Sequence, residues 1–153
     1  MKIHHIILSF ATVLALFLRA PIAWADWLDL GRPLNRGGDI ATFEQSISAA
    51  SGRPHVIAGD CMSACTLWLG YRNACVTPDA VLWFHAAVDW GAVSMGGNPW
   101  RAISPAGNAR LLGSYPKRVR EVVRPWLDSP DYKTLTGAQL AALGVLLCRS
   151  RAR

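Results

Sequence analysis

The chain has 153 residues and a formal net charge of +6, and 52% of its residues are hydrophobic. This length bounds it to one small domain that can bury a core without cofactor support. The basic excess comes with no DNA- or RNA-binding motif, so composition gives no reader for nucleic acid.

Residues 1–25 read as a targeting segment. Lys2 gives a positive start, Ile6 to Leu18 is almost uninterruptedly apolar, and Ala23-Trp24-Ala25 has the small-x-small pattern of a signal-peptidase site. Cleavage is expected after Ala25, with export to the periplasm or the extracellular space. The apolar run is shorter than the roughly 20 residues of a membrane span, so membrane contact is expected only during targeting, with anchoring by residues 6–18 as the alternative. Arg19 is unusual late in such a segment. The remaining domain covers 26–148, and 149–153 is a basic tail expected to be disordered. Loss of Lys2 and Arg19 lowers the charge to about +4. Arg110, Lys117, Arg118, Arg120 and Arg124 gather basic charge, as do Arg149, Arg151 and Arg153; they read as a solvated helix face and a frayed tail, with a site for anionic lipid, glycan or nucleic acid as the alternative.

Trp27 to Leu30 predicts a short strand, and Gly31 to Gly38 a loop rich in Gly, Pro and Asn. Asp39 can cap a helix from Ile40 to about Ser51, with Ile40, Phe43, Ile47 and Ala50 at helical spacing. Gly52 ends it. Pro54 to Ala58 is an apolar strand, and Gly59-Asp60 a turn. Ser63 to Tyr71 continues as an apolar helix, followed by strands at Ala74–Val76 and Val81–His85. From Asp89 to Pro105 no period persists, which predicts a lid or surface loop. A helix from Ala106 to Val123 should break near Pro116. Trp126 to Lys133 is a loop, and a last helix begins at Thr136 with Leu140, Leu143, Leu146 and Leu147 on its apolar side. Strands alternating with helices at this spacing argue for α/β architecture with a single layer of parallel strands packed by helices.

The four cysteines, Cys61, Cys65, Cys75 and Cys148, all fall after the targeting segment. An even count in an exported chain points to disulfides, and four cysteines allow three connectivities. The first expectation pairs Cys65 with Cys75 and Cys61 with Cys148. A zinc site at the Cys-x3-Cys spacing is the rival, although no second paired cluster follows.

Three features carry chemistry. Ser63 sits where a strand turns into a helix, His85 ends a later apolar strand, and Gly37-Gly38 precedes a helix start. A serine hydroxyl needs a base, and a histidine supplies one. The tetrahedral intermediate needs N–H donors, which Ala64 at a helix N-terminus and a glycine turn can provide. The plain readings are a helix-capping serine, a satisfied strand-end histidine and an ordinary turn. Cys61 or Cys65 acting as nucleophile with His85 is a further reading, which oxidation of the cysteines would oppose.

Gly37-Gly38-Asp39, Ser51-Gly52, Val56-Ile57-x-Gly59-x-Cys61-x-Ser63-Ala64-Cys65-Thr66-Leu67, and Cys75-Val76-Thr77-Pro78-x-Ala80-x-Leu82-x-Phe84-His85-Ala86 resemble the exported, ClpP-like members of the Clp-protease/crotonase superfamily. Asn108, Leu111 and Tyr115-Pro116 extend the likeness, which covers roughly residues 35 to 148. It implies a small spiral of ββα units, Ser63 as nucleophile, His85 as base and an oxyanion hole from the Gly38 and Ala64 amides. It implies an acidic third member, matched best by Asp131 and next by Asp128. Arg36 stands where the family has a proline, and the assembly helix of full-length Clp proteases has no counterpart, so their barrel is not carried over, although an oligomer stays open. Nothing in the chain marks a coenzyme A site, another cofactor or a metal.

The expectation is therefore an exported, peptidase-like serine hydrolase acting on a peptide or protein. The alternative is a catalytically inactive exported α/β module that binds a peptide or envelope partner through the segment around Trp90 and Trp100.

Overall fold

The computed structural model describes residues 34–149. The expected signal peptide, the strand at Trp27–Leu30 and residues 150–153 of the basic tail lie outside them.

The architecture is mixed α/β with six short strands among the described residues. In chain order they are β1 (Leu34–Asn35), β2 (His55–Ile57), β3 (Asp60–Met62), β4 (Ala74–Val76), β5 (Val81–Phe84) and β6 (Lys133–Thr136). The α-helices are α1 (Ile40–Ala49), α2 (Trp90–Ser94), α3 (Pro105–Ser114), α4 (Lys117–Val123) and α5 (Gly137–Ala142). Among the described residues three 3-10 helices, Ser63–Gly70, Pro99–Arg101 and Arg124–Asp128, fill connections.

The expected single parallel layer is corrected to two sheets. One has the order β1-β3-β5-β6, and the other pairs only β2 with β4. β1, β3 and β5 run parallel, while β6 closes the edge antiparallel. The cause is local. Residues Ala58-Gly59 separate β2 from β3, and Gly59 adopts φ +65°, a turn that redirects the chain from one sheet into the other. Asp60 was expected in that turn but already belongs to β3. The segment Thr77–Ala80 makes the same exchange between β4 and β5.

Other boundaries follow from capping. The Asp39 carboxylate accepts the Thr42 N–H at 2.9 Å and starts α1, as its position predicts. Asp89 caps α2 and Asn98 a 3-10 turn, so the expected irregular loop from 89 to 105 carries two short helices. Pro116 separates α3 from α4, as expected. Thr136 and Gln139 form a reciprocal capping box at α5.

The core lies between the sheets and the helices. Leu67, Val76, Leu82, Phe84, Val119 and Leu140 are at most 1% exposed. Burying each such side chain contributes about 1.5–3 kcal/mol, and these residues hold the strand ends in place. The helix after Ser63 is the central buried element, with Ala64 to Leu69 all buried.

The cysteine pairing differs from the expected one: Cys61 bonds Cys65, and Cys75 bonds Cys148. The first pair is brought together by the turn from β3 into the 3-10 helix. The second follows from an unforeseen parallel bridge between Val76 and Leu147, with the Val76 N–H donating to Leu146 and the Cys148 N–H to Val76. Two disulfides fit a non-reducing, exported environment. They also use all four thiols, so neither a zinc thiolate set nor a cysteine nucleophile is left in the oxidised chain. Among the described residues no helix is long and apolar enough to cross a membrane.

Candidate active site

The three parallel strands place the chemistry. Asn35 is in register with Cys61, Cys61 with Leu82, and Met62 with Trp83. The chain therefore leaves β1, β3 and β5 on the same side of the sheet, and the residues that emerge are Gly37-Gly38, Ser63 and His85. The carboxyl ends of parallel strands are where α/β sheets form ligand crevices. Here Gly38, Ser63, Ala64 and His85 border one cavity of about 540 Å³, together with Trp90 and Arg110.

Ser63 has φ +55° between an extended Met62 and a helix. A non-glycine residue there costs of order 1–3 kcal/mol and survives only where its surroundings enforce it. The other such residue among the described ones, Ser51, closes the C-terminal turn after α1, where this conformation is ordinary. Ser63 has no such excuse. Strand, strained serine, then helix is the order by which a nucleophile elbow presents its hydroxyl. The capping alternative is not realised: Met62 occupies the N-cap, and no side chain caps the helix.

Gly37 lies against this turn. A Cβ on Gly37 would meet the Met62 carbonyl, the Ser63 Cβ at 2.9 Å and the Ala64 nitrogen at 3.0 Å, and its φ is +76°. Only glycine lets the β1 exit loop come this close. The Asn35 side chain holds the loop by accepting the Gly37 N–H at 3.0 Å. As second residue of its helix, Ala64 has no carbonyl within that helix to donate to, so its N–H is free for a ligand.

His85 is 4% exposed. Burial lowers its pKa, and a hydrogen bond with the Ala86 backbone opposes this in part. The ring is therefore neutral, the form a general base requires. Its segment is fixed on both sides. Ala86 donates to the Ser129 carbonyl at 2.8 Å, and Ala87 donates to Asn108 Oδ1 at 2.7 Å. Asn108 in turn donates to the Leu127 carbonyl at 2.8 Å. Among the described residues no hydrogen bond joins His85 to Ser63 or to a carboxylate.

Asp131 is exposed, and its backbone N–H donates to Ser129 Oγ. The neighbouring Tyr132 is what reaches the histidine, with ring centroids 4.6 Å apart. Asp128 borders a different cavity, near Arg120 and Arg124. Ser63, His85, Gly38 and Ala64 are thus brought together, and neither aspartate is bonded to them.

Several contacts around the site were not foreseen from the sequence. Tyr132 lies in a segment without period. Arg110 on α3 makes a two-pronged ion pair with Glu44 on α1 beside the cavity, at 3.0 and 2.5 Å. That bond holds Glu44 below the usual carboxylate range. Thr66 and Tyr115 share a 2.6 Å hydrogen bond in the core. Two hydroxyls in apolar stretches, each needing a partner, were the available signal for that pair.

No family model, curated protein or solved structure matches this chain.

Proposed function

We propose that the chain is an exported, peptidase-like serine hydrolase with Ser63 as nucleophile and His85 as base. The observation that carries this reading is the strained serine and the buried neutral histidine leaving adjacent parallel strands into one cavity. The alternation of β1, β3 and β5 with β2 and β4 between two sheets also suits a Clp-protease/crotonase-like spiral of ββα units.

In the mechanism, Ser63 Oγ attacks the substrate carbonyl carbon while His85 takes the hydroxyl proton. The oxyanion is met by the Gly38 and Ala64 N–H groups. His85 then gives its proton to the leaving amine or alcohol, and an acyl-enzyme remains. Water repeats the sequence and frees the acid. The reading requires a hydrogen bond between Ser63 and His85 in the substrate complex, since catalytic hydrogen bonds are often formed or tightened only there.

His85 leans on the Ala86 backbone and the Tyr132 ring, so we assign a dyad, and Asp131 is the rival third member. Asp131→Asn separates the two. A dyad keeps labelling by a fluorophosphonate near the wild-type rate, whereas loss of a triad acid lowers turnover by about 10⁴-fold.

One observation favours the non-catalytic reading. Trp90, which borders the cavity, is 60% exposed, and Met95 and Trp100 in the same segment are 85% and 54% exposed. A module that binds a peptide or envelope partner would use them and leave fluorophosphonates unreacted.

A further inference from the structure

Two buried hydroxyls lie in series behind Ser63. Thr66 Oγ1 donates to the Ser63 carbonyl at 2.7 Å. That commits the Thr66 proton, so the 2.6 Å bond between Thr66 and Tyr115 runs with the phenol donating to Thr66 Oγ1. Thr66 is 1% exposed and Tyr115 2%. Burial raises the Tyr115 pKa above its ordinary value, so the phenol stays protonated and a donor.

The hydrogen-bond chain ends at the carbonyl of Ser63, the residue whose φ of +55° needs enforcement. Turning Ser63 back to a relaxed conformation would swing its carbonyl away from Thr66. The Tyr115 ring has a second contact: it packs edge-on against Phe84, the residue before His85, with centroids 5.6 Å apart. One side chain on the rim of α3 therefore touches the supports of both reacting residues.

We infer that Tyr115 and Thr66 are positioning residues that lock the Ser63 turn in its strained, presented form. This rests on the serine hydrolase reading for its kinetic readout. Neither residue meets substrate. The phenol polarises the Thr66 hydroxyl, and that hydroxyl fixes the Ser63 carbonyl, so the Oγ and the Ala64 N–H keep their directions into the cavity. Phe at position 115 would keep the ring packing against Phe84 and remove only the hydroxyl.

The test uses the purified, disulfide-intact chain. Fluorophosphonate labelling rates and thermal midpoints are measured for wild type, Tyr115→Phe, Thr66→Val, Thr66→Ser and the double variant Tyr115→Phe/Thr66→Val. Val123→Ala serves as a core-destabilised control away from the chain of hydroxyls. Loss of one such bond should slow labelling about tenfold in Tyr115→Phe and in Thr66→Val. Links in series do not add, so the double variant should stay within about twofold of Thr66→Val. Thr66→Ser should recover most of the rate, and Val123→Ala should lose stability with its rate intact. Rates that follow the thermal midpoint across all variants, or a Thr66→Ser as slow as Thr66→Val, overturn the assignment.

Wild-type protein that never labels defeats the hydrolase reading instead. The positioning role is then read from the magnetic resonance shift of the Ser63 carbonyl carbon, which follows the hydrogen bond it accepts. It should move in Thr66→Val and hold in Thr66→Ser, and an unmoved shift in Thr66→Val overturns the role.

Discussion

A Cβ built on Gly37 would stand 2.9 Å from the Ser63 Cβ. The β1 exit loop and the serine turn are therefore one packed unit, in which the backbone of one strand end is the wall of the next. This contact explains why a loop rich in glycine precedes the serine by some 25 residues and yet belongs to its site.

Gly37→Ala should break that unit. The new methyl meets Met62 and Ala64, and φ +76° disfavours any side chain. The expected loss is about 2–3 kcal/mol in urea unfolding, with labelling at Ser63 falling further than stability alone accounts for. Gly113→Ala is the comparison, since a Cβ there meets nothing within 4 Å. Equal behaviour of the two variants would refute the contact.

Stability should fall on acidification. His85 is lowered by burial, and so is His55, which stacks on Trp68 with centroids 3.6 Å apart. For a histidine with a lowered folded pKa, the unfolded chain binds more protons near and below its own value. Stability is then full above about pH 6.5 and is lost as the pH drops through the folded values. His85→Gln and His55→Gln should each flatten part of that slope in urea titrations. The labelling rate keeps its neutral base further down, so its acid limb should have a midpoint below 6.5. A midpoint at or above 6.5 would contradict the burial argument.

The two disulfides should act differently. Cys75–Cys148 closes a separation of 73 residues and Cys61–Cys65 one of 4. Loop-closure entropy assigns about 4 kcal/mol to the long loop and about 2 to the short one. Paired serine substitutions should reproduce that order in urea unfolding, while the short pair, which brackets Ser63, should have the larger effect on labelling. Non-reducing peptide mapping that recovers a Cys65–Cys75 fragment would overturn this connectivity.

The placement of the candidate site residues was legible because each follows a signal that physics reads directly: an apolar strand, then a break. Val81 to Phe84 is an unbroken apolar run followed by His85, and the apolar helix after Ser63 announces its own start. The second sheet was not legible. Asp60 reads as a turn residue beside Gly59, yet its backbone is already paired with Val81 and Leu34. β6, Lys-Thr-Leu-Thr, shows one apolar residue in four, since only Leu135 turns inward. The cysteine pairing depends on the Val76–Leu147 bridge, a contact between remote segments with no local trace. Helical propensity in 90–101 was masked by Gly and Pro, while the caps Asp89 and Asn98 were the overlooked signals.

Mass-spectrometric mapping of a fluorophosphonate adduct on the native, disulfide-intact chain tests the account most directly. The adduct should fall on the peptide containing Ser63, vanish in Ser63→Ala and fade in His85→Gln. An adduct on another residue, or one of equal yield in Ser63→Ala, would contradict it.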